Sequence, residues 1–129
     1  MYKSVWPRKV ASALAVVIAL FQVGLAAGLP WGAAAYGGSH PGVLPANLRL
    51  ISVVAAITWS GVAVLARLAA DRHRLLLRGV AGICVVGGAM NLASRNLPEI
   101  IIWVPIATTL AVALWQLSTR GNTVSQPGQ

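Results

Sequence analysis

Residues 10–29, VASALAVVIALFQVGLAAGL, decide the class of this protein, because the stretch is almost entirely apolar and carries no charged side chain. A helix needs about 20 residues to cross roughly 30 Å of hydrocarbon. Three more apolar runs follow, and none alternates as the strands of a membrane barrel do. The sequence therefore predicts an all-α polytopic membrane protein, a compact bundle of four transmembrane helices at about 10–29, 48–67, 75–94 and 98–117.

The composition of the whole chain supports this class. Of its 129 residues, 57% are hydrophobic and 9% are charged, whereas about a quarter of the residues in a soluble domain are charged. The single cysteine, Cys84, excludes an intrachain disulfide and a redox or metal motif built on two cysteines. The net charge of +8 comes from basic residues between the apolar runs. We therefore expect membrane lipids as partners, through their anionic headgroups, and no nucleic acid.

The distribution of basic residues predicts the orientation. Two of them, Arg49 and Arg95, fall on one side of a four-pass chain. The opposite side carries Lys3, Arg8, Lys9, Arg67, Arg72, Arg74, Arg78 and Arg120. The positive-inside rule then places both termini in the cytoplasm (N-in/C-in) of a multi-pass protein of the cell (inner) membrane. A cleavable signal peptide is the alternative interpretation of the first run, although that run is longer than a usual signal core.

The connecting segments are unequal in length. Residues 1–118 are predicted to form the transmembrane domain, and the polar residues 119–129 a disordered cytoplasmic tail. The outer loop, residues 30–47, is longer than a hairpin needs, and loops of this length are often functional. Just before it, Gly24 and Gly28 form a GxxxG motif of the kind that lets helices approach closely in lipid. The motif either packs inside the bundle or forms the interface of a homo-oligomer or of a complex with a partner membrane protein.

Glu99 is the only acidic residue on the predicted outer side. Pro98 suits the first position of a helix, so Glu99 falls in the first turn of the fourth helix. A carboxylate there complements the positive end of the helix dipole. The same carboxylate is a candidate catalytic acid or base, or a contact for a cation.

Arg49 lies in the predicted first turn of the second helix, where a cation is unfavourable. We therefore expect a negative partner for it, either Glu99, a lipid phosphate or an anionic ligand. Asn91 and Arg95 share one face at the outer end of the third helix. These four side chains are predicted to converge under the outer loop as a ligand-binding site. Further candidates in the loop are Trp31, Tyr36 and His40.

Two classes of function fit these residues. The first is a binding, transport or accessory protein that holds a lipid or a small anionic ligand at a polar outer-face site. The second is a small membrane-embedded enzyme of isomerase, cyclase or hydrolase type, with Glu99 as acid or base on a lipid-soluble substrate. We favour the first because no catalytic motif stands out, and we expect no cofactor and no metal. An enclosed apolar pocket beneath Glu99 would favour the enzyme.

Several short motifs occur together in this chain. They are GLPWG at 28–32, YGG at 36–38, HPGVLP at 40–45 with Arg49, NLASR at 91–95, Glu99 and Pro105. In this combination the chain resembles an uncharacterised family of small four-helix bacterial integral membrane proteins. The resemblance covers most of the chain except the tail. It implies the four-helix fold, and it carries no assigned activity.

Overall fold

A computed structural model describes residues 5–68 and 70–119. Its four helices are α1 (Trp6–Ala27), α2 (Ala46–Leu68), α3 (Arg74–Ala93) and α4 (Leu97–Thr119). Within the described ranges there is no strand, and each of the four helices is long and apolar enough to cross a membrane. The prediction of an all-α bundle with four membrane-spanning helices is therefore confirmed. The N-in/C-in orientation stays a prediction.

The helix boundaries differ from the predicted ones by one or two residues, except at the start of α1, where the difference is four residues. α1 begins at Trp6 rather than near Val10, because Pro7 suits the first turn of a helix, where the missing N–H costs nothing. α4 continues to Thr119, so the first residue of the predicted tail is helical. The rest of that tail, residues 120–129, lies outside the described residues.

The bundle consists of two helical hairpins side by side. α1 packs along α2, α3 packs along α4, and contacts between α1 and α4 join the two hairpins, whereas α2 and α3 make few contacts. The close pairing of α1 with α2 uses the small side chains of Ala11, Ala15 and Ala19, which are all buried. The side of the bundle between α2 and α3 is consequently the least tightly closed.

Large apolar side chains cover the outside of the bundle. Leu50, Ile57, Leu75 and Ile101, which come from three different helices, are all more than 60% exposed. Soluble proteins rarely leave apolar patches of this extent in contact with water. These faces therefore suit contact with lipid, and the protein is a small integral membrane protein.

The interior is packed most densely away from the long loop. We call the end of the bundle that carries residues 28–45 the loop end and the opposite end the turn end. The main core lies towards the turn end and includes the fully buried Leu77 and Leu114. A smaller cluster of Leu25, Ala35 and Leu44 lies beneath the loop. Between these two clusters the helices enclose the cavity described below.

The GxxxG motif of α1 is covered by residues of the same chain. A Cβ atom on Gly24 would overlap the Trp31 ring, and one on Gly28 would lie 3.3 Å from a guanidinium nitrogen of Arg49. Both glycines therefore pack against residues of the same chain, as one of the two interpretations predicted. Oligomerisation or binding of a partner protein through Gly24 and Gly28 stays a prediction.

Candidate functional site

The buried carboxylate of Glu99 is the centre of the candidate site. Glu99 lies in the first turn of α4, as the preceding Pro98 predicted, and is only 4% exposed. Its Oε1 accepts a hydrogen bond from the backbone N–H of Gly37 at 2.9 Å. Its Oε2 is buried and accepts no hydrogen bond from any described residue. One oxygen of the carboxylate therefore has a hydrogen-bond donor in the loop, and the other has none among the described residues.

The loop reaches Glu99 through a left-handed turn. Tyr36, Gly37 and Gly38 have φ values of 49°, 73° and 72°. Glycine adopts this conformation freely, but a residue with a side chain loses about 1–2 kcal/mol there. The Tyr36 side chain has a fixed contact as well, because its hydroxyl lies 3.1 Å from the Oγ of the fully buried Ser52.

Two further side chains hold the loop against the start of α4. The Asn96 Nδ2 donates to the carbonyl oxygen of Ala33 at 2.7 Å. The Trp103 indole N–H donates to the carbonyl oxygen of Ala34, also at 2.7 Å. These two roles were not predicted from the sequence, although Asn96, Glu99 and Trp103 lie at i, i+3 and i+7. That spacing, which places them along one face of α4, was the available signal.

Replacing Trp103 with Phe should loosen the outer loop. Phenylalanine keeps an aromatic ring near Phe21, whose ring centre lies 4.6 Å from that of Trp103, but it cannot donate to Ala34. A buried carbonyl left without a partner costs about 1–3 kcal/mol. We therefore expect faster hydrogen–deuterium exchange of the loop amides, measured by mass spectrometry. The control is Trp115→Phe in the turn-end part of α4, and loop exchange unchanged in Trp103→Phe would contradict this assignment.

An interhelical cavity of about 510 Å³ lies beside Glu99. A volume of this size is typical of sites for drug-sized ligands. The apolar part of the lining includes Ile18, Phe21, Ala35, Trp59, Ile83, Cys84, Gly87, Met90, Trp103, Ile106 and Leu110. The polar side chains in the lining are those of Gln22, Tyr36, Asn91, Ser94 and Glu99. The cavity is thus mostly apolar, with a few polar groups towards the loop end.

Two of these polar side chains come from opposite hairpins. Gln22 belongs to α1, and its Oε1 is buried without a hydrogen-bond donor among the described residues. Asn91 belongs to α3, and its backbone carbonyl accepts a hydrogen bond from the Oγ of Ser94 at 2.7 Å. Gln22 was not among the predicted site residues. The only signal for it was a polar residue at an otherwise apolar helix position.

The structure brings together part of the predicted constellation. Tyr36, Asn91 and Glu99 line one cavity. Arg95 does not line it and is exposed just beyond the end of α3, with φ 57°. His40 is also exposed, and its Nδ1 lies 3.1 Å from the Oγ of Ser39. Of the four side chains that were predicted to converge, Asn91 and Glu99 therefore line the cavity, and Tyr36 from the loop candidates lines it with them.

Arg49 requires a correction. It neither lines the cavity nor forms an ion pair with Glu99. Instead, its Nε donates to the carbonyl oxygen of Ala26 at 3.0 Å. At this end of α1 the amides of Gly28 and Leu29 turn back onto the helix, as in a Schellman motif, and leave that carbonyl free. The expected negative partner of Arg49 is thus the C-terminal end of the α1 dipole.

Trp31 also lies outside the cavity lining. Its ring stacks on Phe21, with the ring centres 5.7 Å apart and the ring planes 9° apart. Phe21 itself lines the cavity. Trp31 therefore supports the wall of the site from behind and covers Gly24.

Metal binding needs several ligands that converge. Among residues 5–68 and 70–119, no three His, Cys, Asp or Glu side chains form a group that could hold a metal ion. The residues that line the cavity offer a buried carboxylate, two carboxamides and aromatic rings around an apolar space.

Comparison of the chain with protein-family models, with curated proteins and with solved structures finds no match. The resemblance to a family of small four-helix bacterial membrane proteins therefore stays a prediction.

Proposed function

We propose that this small integral membrane protein binds a lipid-soluble small molecule in the interhelical cavity beside Glu99. One observation carries the proposal, namely a carboxylate oxygen that is buried without a hydrogen-bond donor in the wall of a mostly apolar cavity. Burying such an acceptor is unfavourable unless something donates to it. Ligand sites commonly combine an apolar lining with a few polar groups that fix the orientation of the ligand.

The exposure of the lining supports entry of the ligand from the lipid. Ile83 and Met90 both line the cavity, yet they are 64% and 67% exposed. They lie on α3, next to the side of the bundle where α2 and α3 make few contacts. An opening there faces hydrocarbon rather than water, because these helices are the ones that cross the membrane.

The chemistry of the lining distinguishes between the ligands expected from the sequence. A small anion has little support, because Arg49 and Arg95 do not line the cavity while Glu99 does. A lipid or another amphiphile has more support, because most of the lining is apolar. Binding of this kind is compatible with a transport or accessory role.

We place the protein in the cell membrane with both termini in the cytoplasm, on the distribution of its basic residues.

Native mass spectrometry of the protein in mild detergent tests the proposal. The wild type should carry a co-purified small molecule, and Glu99→Gln should lose most of it. Arg49→Ala is the matched control, because Arg49 caps α1 and does not line the cavity. That variant should retain the ligand. The proposal fails if the wild type carries nothing, or if both variants carry as much ligand as the wild type.

A second candidate function is the membrane enzyme. A partly enclosed apolar cavity beside Glu99 favours the enzyme. The unsatisfied Oε2 of Glu99 could exchange a proton with a substrate, and Asn91 could polarise that substrate. Isomerisation or cyclisation would need no further group, and hydrolysis would need only a water molecule as the nucleophile. Incubation of the purified protein with its co-purified molecule separates the two candidates. A product that forms with the wild type and not with Glu99→Gln, separated from the starting molecule by chromatography because an isomer or a cyclised product has the same mass, indicates catalysis. An unchanged chromatogram indicates binding alone.

A further inference from the structure

The polar groups of the cavity include an excess of hydrogen-bond acceptors. Glu99 Oε2 and Gln22 Oε1 are both buried, and neither receives a hydrogen bond from the described residues. Both residues line the same cavity, one from α4 and one from α1. A ligand that brings two or more donor groups would therefore satisfy both oxygens. A ligand with only acceptors, such as a ketone or an ester, would satisfy neither.

The charge of the cavity also lacks a partner. The described lining contains Glu99 but no Lys, Arg or His. Arg49, for which Glu99 was one of the predicted partners, donates to the end of α1 instead. A buried charge is strongly unfavourable unless it is paired. A ligand with a positive charge would supply the missing partner of the carboxylate.

Aromatic side chains make up a further part of the lining. Phe21, Tyr36, Trp59 and Trp103 contribute to it from four different segments of the chain. Aromatic rings attract organic cations through the negative potential of their faces. They also provide apolar surface for the hydrocarbon part of an amphiphile. Charge and lining thus favour the same class of ligand.

From these three observations we infer that the ligand is a lipophilic amine. Its protonated nitrogen donates to Glu99 Oε2 and to Gln22 Oε1, and its apolar body fills the cavity towards the opening beside Ile83 and Met90. This inference rests on the proposed function and names the ligand class of that same site. No covalent step is involved, because the amine is bound as a cation.

Binding of simple amphiphiles to the protein in nanodiscs of neutral phosphatidylcholine tests this inference. The probes are dodecylamine, dodecyltrimethylammonium and 1-dodecanol, measured by calorimetry against empty nanodiscs. The wild type should bind dodecylamine at least about tenfold more tightly than 1-dodecanol, because hydrogen bonds to a charged group are the stronger ones. Dodecyltrimethylammonium carries the same charge without an N–H donor and should bind less tightly than dodecylamine.

Two variants remove the groups to which the amine is bound. Glu99→Gln should abolish the preference for the amine over the alcohol, because the neutral amide can still accept from Gly37 but carries no charge. Gln22→Leu should lower the affinity for dodecylamine while Glu99 stays intact. Asp71→Asn is the matched control, because Asp71 is the other acidic residue of the chain and is exposed near Arg8 at the turn end. Its loss changes the net charge equally and should leave the preference unchanged.

The outcomes separate this inference from the proposed function. Equal affinities of the wild type for dodecylamine and 1-dodecanol would overturn the amine assignment and leave the cavity as a site for neutral lipid-soluble ligands. The same conclusion follows if Glu99→Gln keeps the preference for the amine. Equal binding of dodecyltrimethylammonium and dodecylamine would overturn the hydrogen-bonded arrangement. Absence of binding of every probe to the wild type would overturn both proposals.

Discussion

Replacing Gly87 with Leu should remove ligand binding without unfolding the protein. Gly87 lies in the middle of α3 and lines the cavity, and no atom outside its local backbone lies within 4 Å of the position of a Cβ there. The leucine side chain therefore extends into the space that the ligand would occupy. We expect the co-purified molecule to disappear from the native mass spectrum and the affinity for added ligand to fall at least about tenfold.

The matched control for this prediction is Gly82→Leu on the same helix. Gly82 also has no atom within 4 Å of its Cβ position, but it is exposed and does not line the cavity. Both substitutions raise helix propensity by about 1 kcal/mol, so circular dichroism should show α3 equally well formed in each. Ligand retained in Gly87→Leu, or lost equally in both variants, would show that the cavity is not the binding site.

Replacing Gly32 with Ala should disrupt the outer loop. The N–H of Gly32 donates to the carbonyl oxygen of Gly42 at 2.8 Å. A Cβ atom on Gly32 would overlap the carbonyl oxygen of His40 and lie 2.7 Å from that of Gly42. Both obstacles are backbone atoms, so the two parts of the loop, around Gly32 and around Gly42, must move apart. We expect a loss of about 1–3 kcal/mol in the free energy of unfolding, measured by titration with a denaturing detergent.

This substitution in the loop should also affect the candidate site. If the loop separates, the hydrogen bond from Gly37 to Glu99 weakens, and ligand binding should decrease together with stability. Gly61→Ala in α2 is the control, because its Cβ position is free of neighbours. That variant should be neutral or up to about 1 kcal/mol more stable. A Gly32→Ala protein as stable as the Gly61→Ala protein would contradict the close packing of the loop.

The helices were predictable because lipid imposes a simple requirement. Each run had to be apolar over a length close to the thickness of the hydrocarbon, and that property depends on local sequence alone. The position of Glu99 was predictable for a similar reason, since Pro98 identifies the first turn of a helix. Both features depend on neighbouring residues, and both appear in the structure.

The partners of Arg49 and Glu99 were not predictable in the same way. Arg49 donates to Ala26, 23 positions away in the sequence, and that carbonyl is free because α1 ends at Ala27 and the residue four positions on, Pro30, has no N–H. Glu99 accepts from Gly37, 62 positions away. The sequence indicated a charge that needed a partner, but a backbone group has no signature in the sequence. Glu99, one of the three partners predicted for Arg49, therefore forms no ion pair with it in the structure.

The cavity could not be predicted because it depends on the spacing between helices. In the sequence, Gln22 and Trp59 are ordinary residues within apolar runs, and neither was assigned a role. They line the cavity because the helices enclose open space between the core at the turn end and the cluster beneath the loop. Small changes in helix spacing, set by the sum of many contacts, determine whether such a space exists.

Ile83 and Met90 line the cavity and are mostly exposed on the outside of the bundle, and entry of the ligand beside them, as proposed, determines which concentration of ligand the site experiences. An amphiphile accumulates in a bilayer in proportion to the apolar surface that it buries there. A site that opens to hydrocarbon therefore equilibrates with the mole fraction of ligand in the lipid and not with its molarity in water. At a fixed total amount of ligand, added lipid dilutes the ligand that the site meets. Occupancy should consequently follow the ratio of ligand to lipid, largely independently of the aqueous volume.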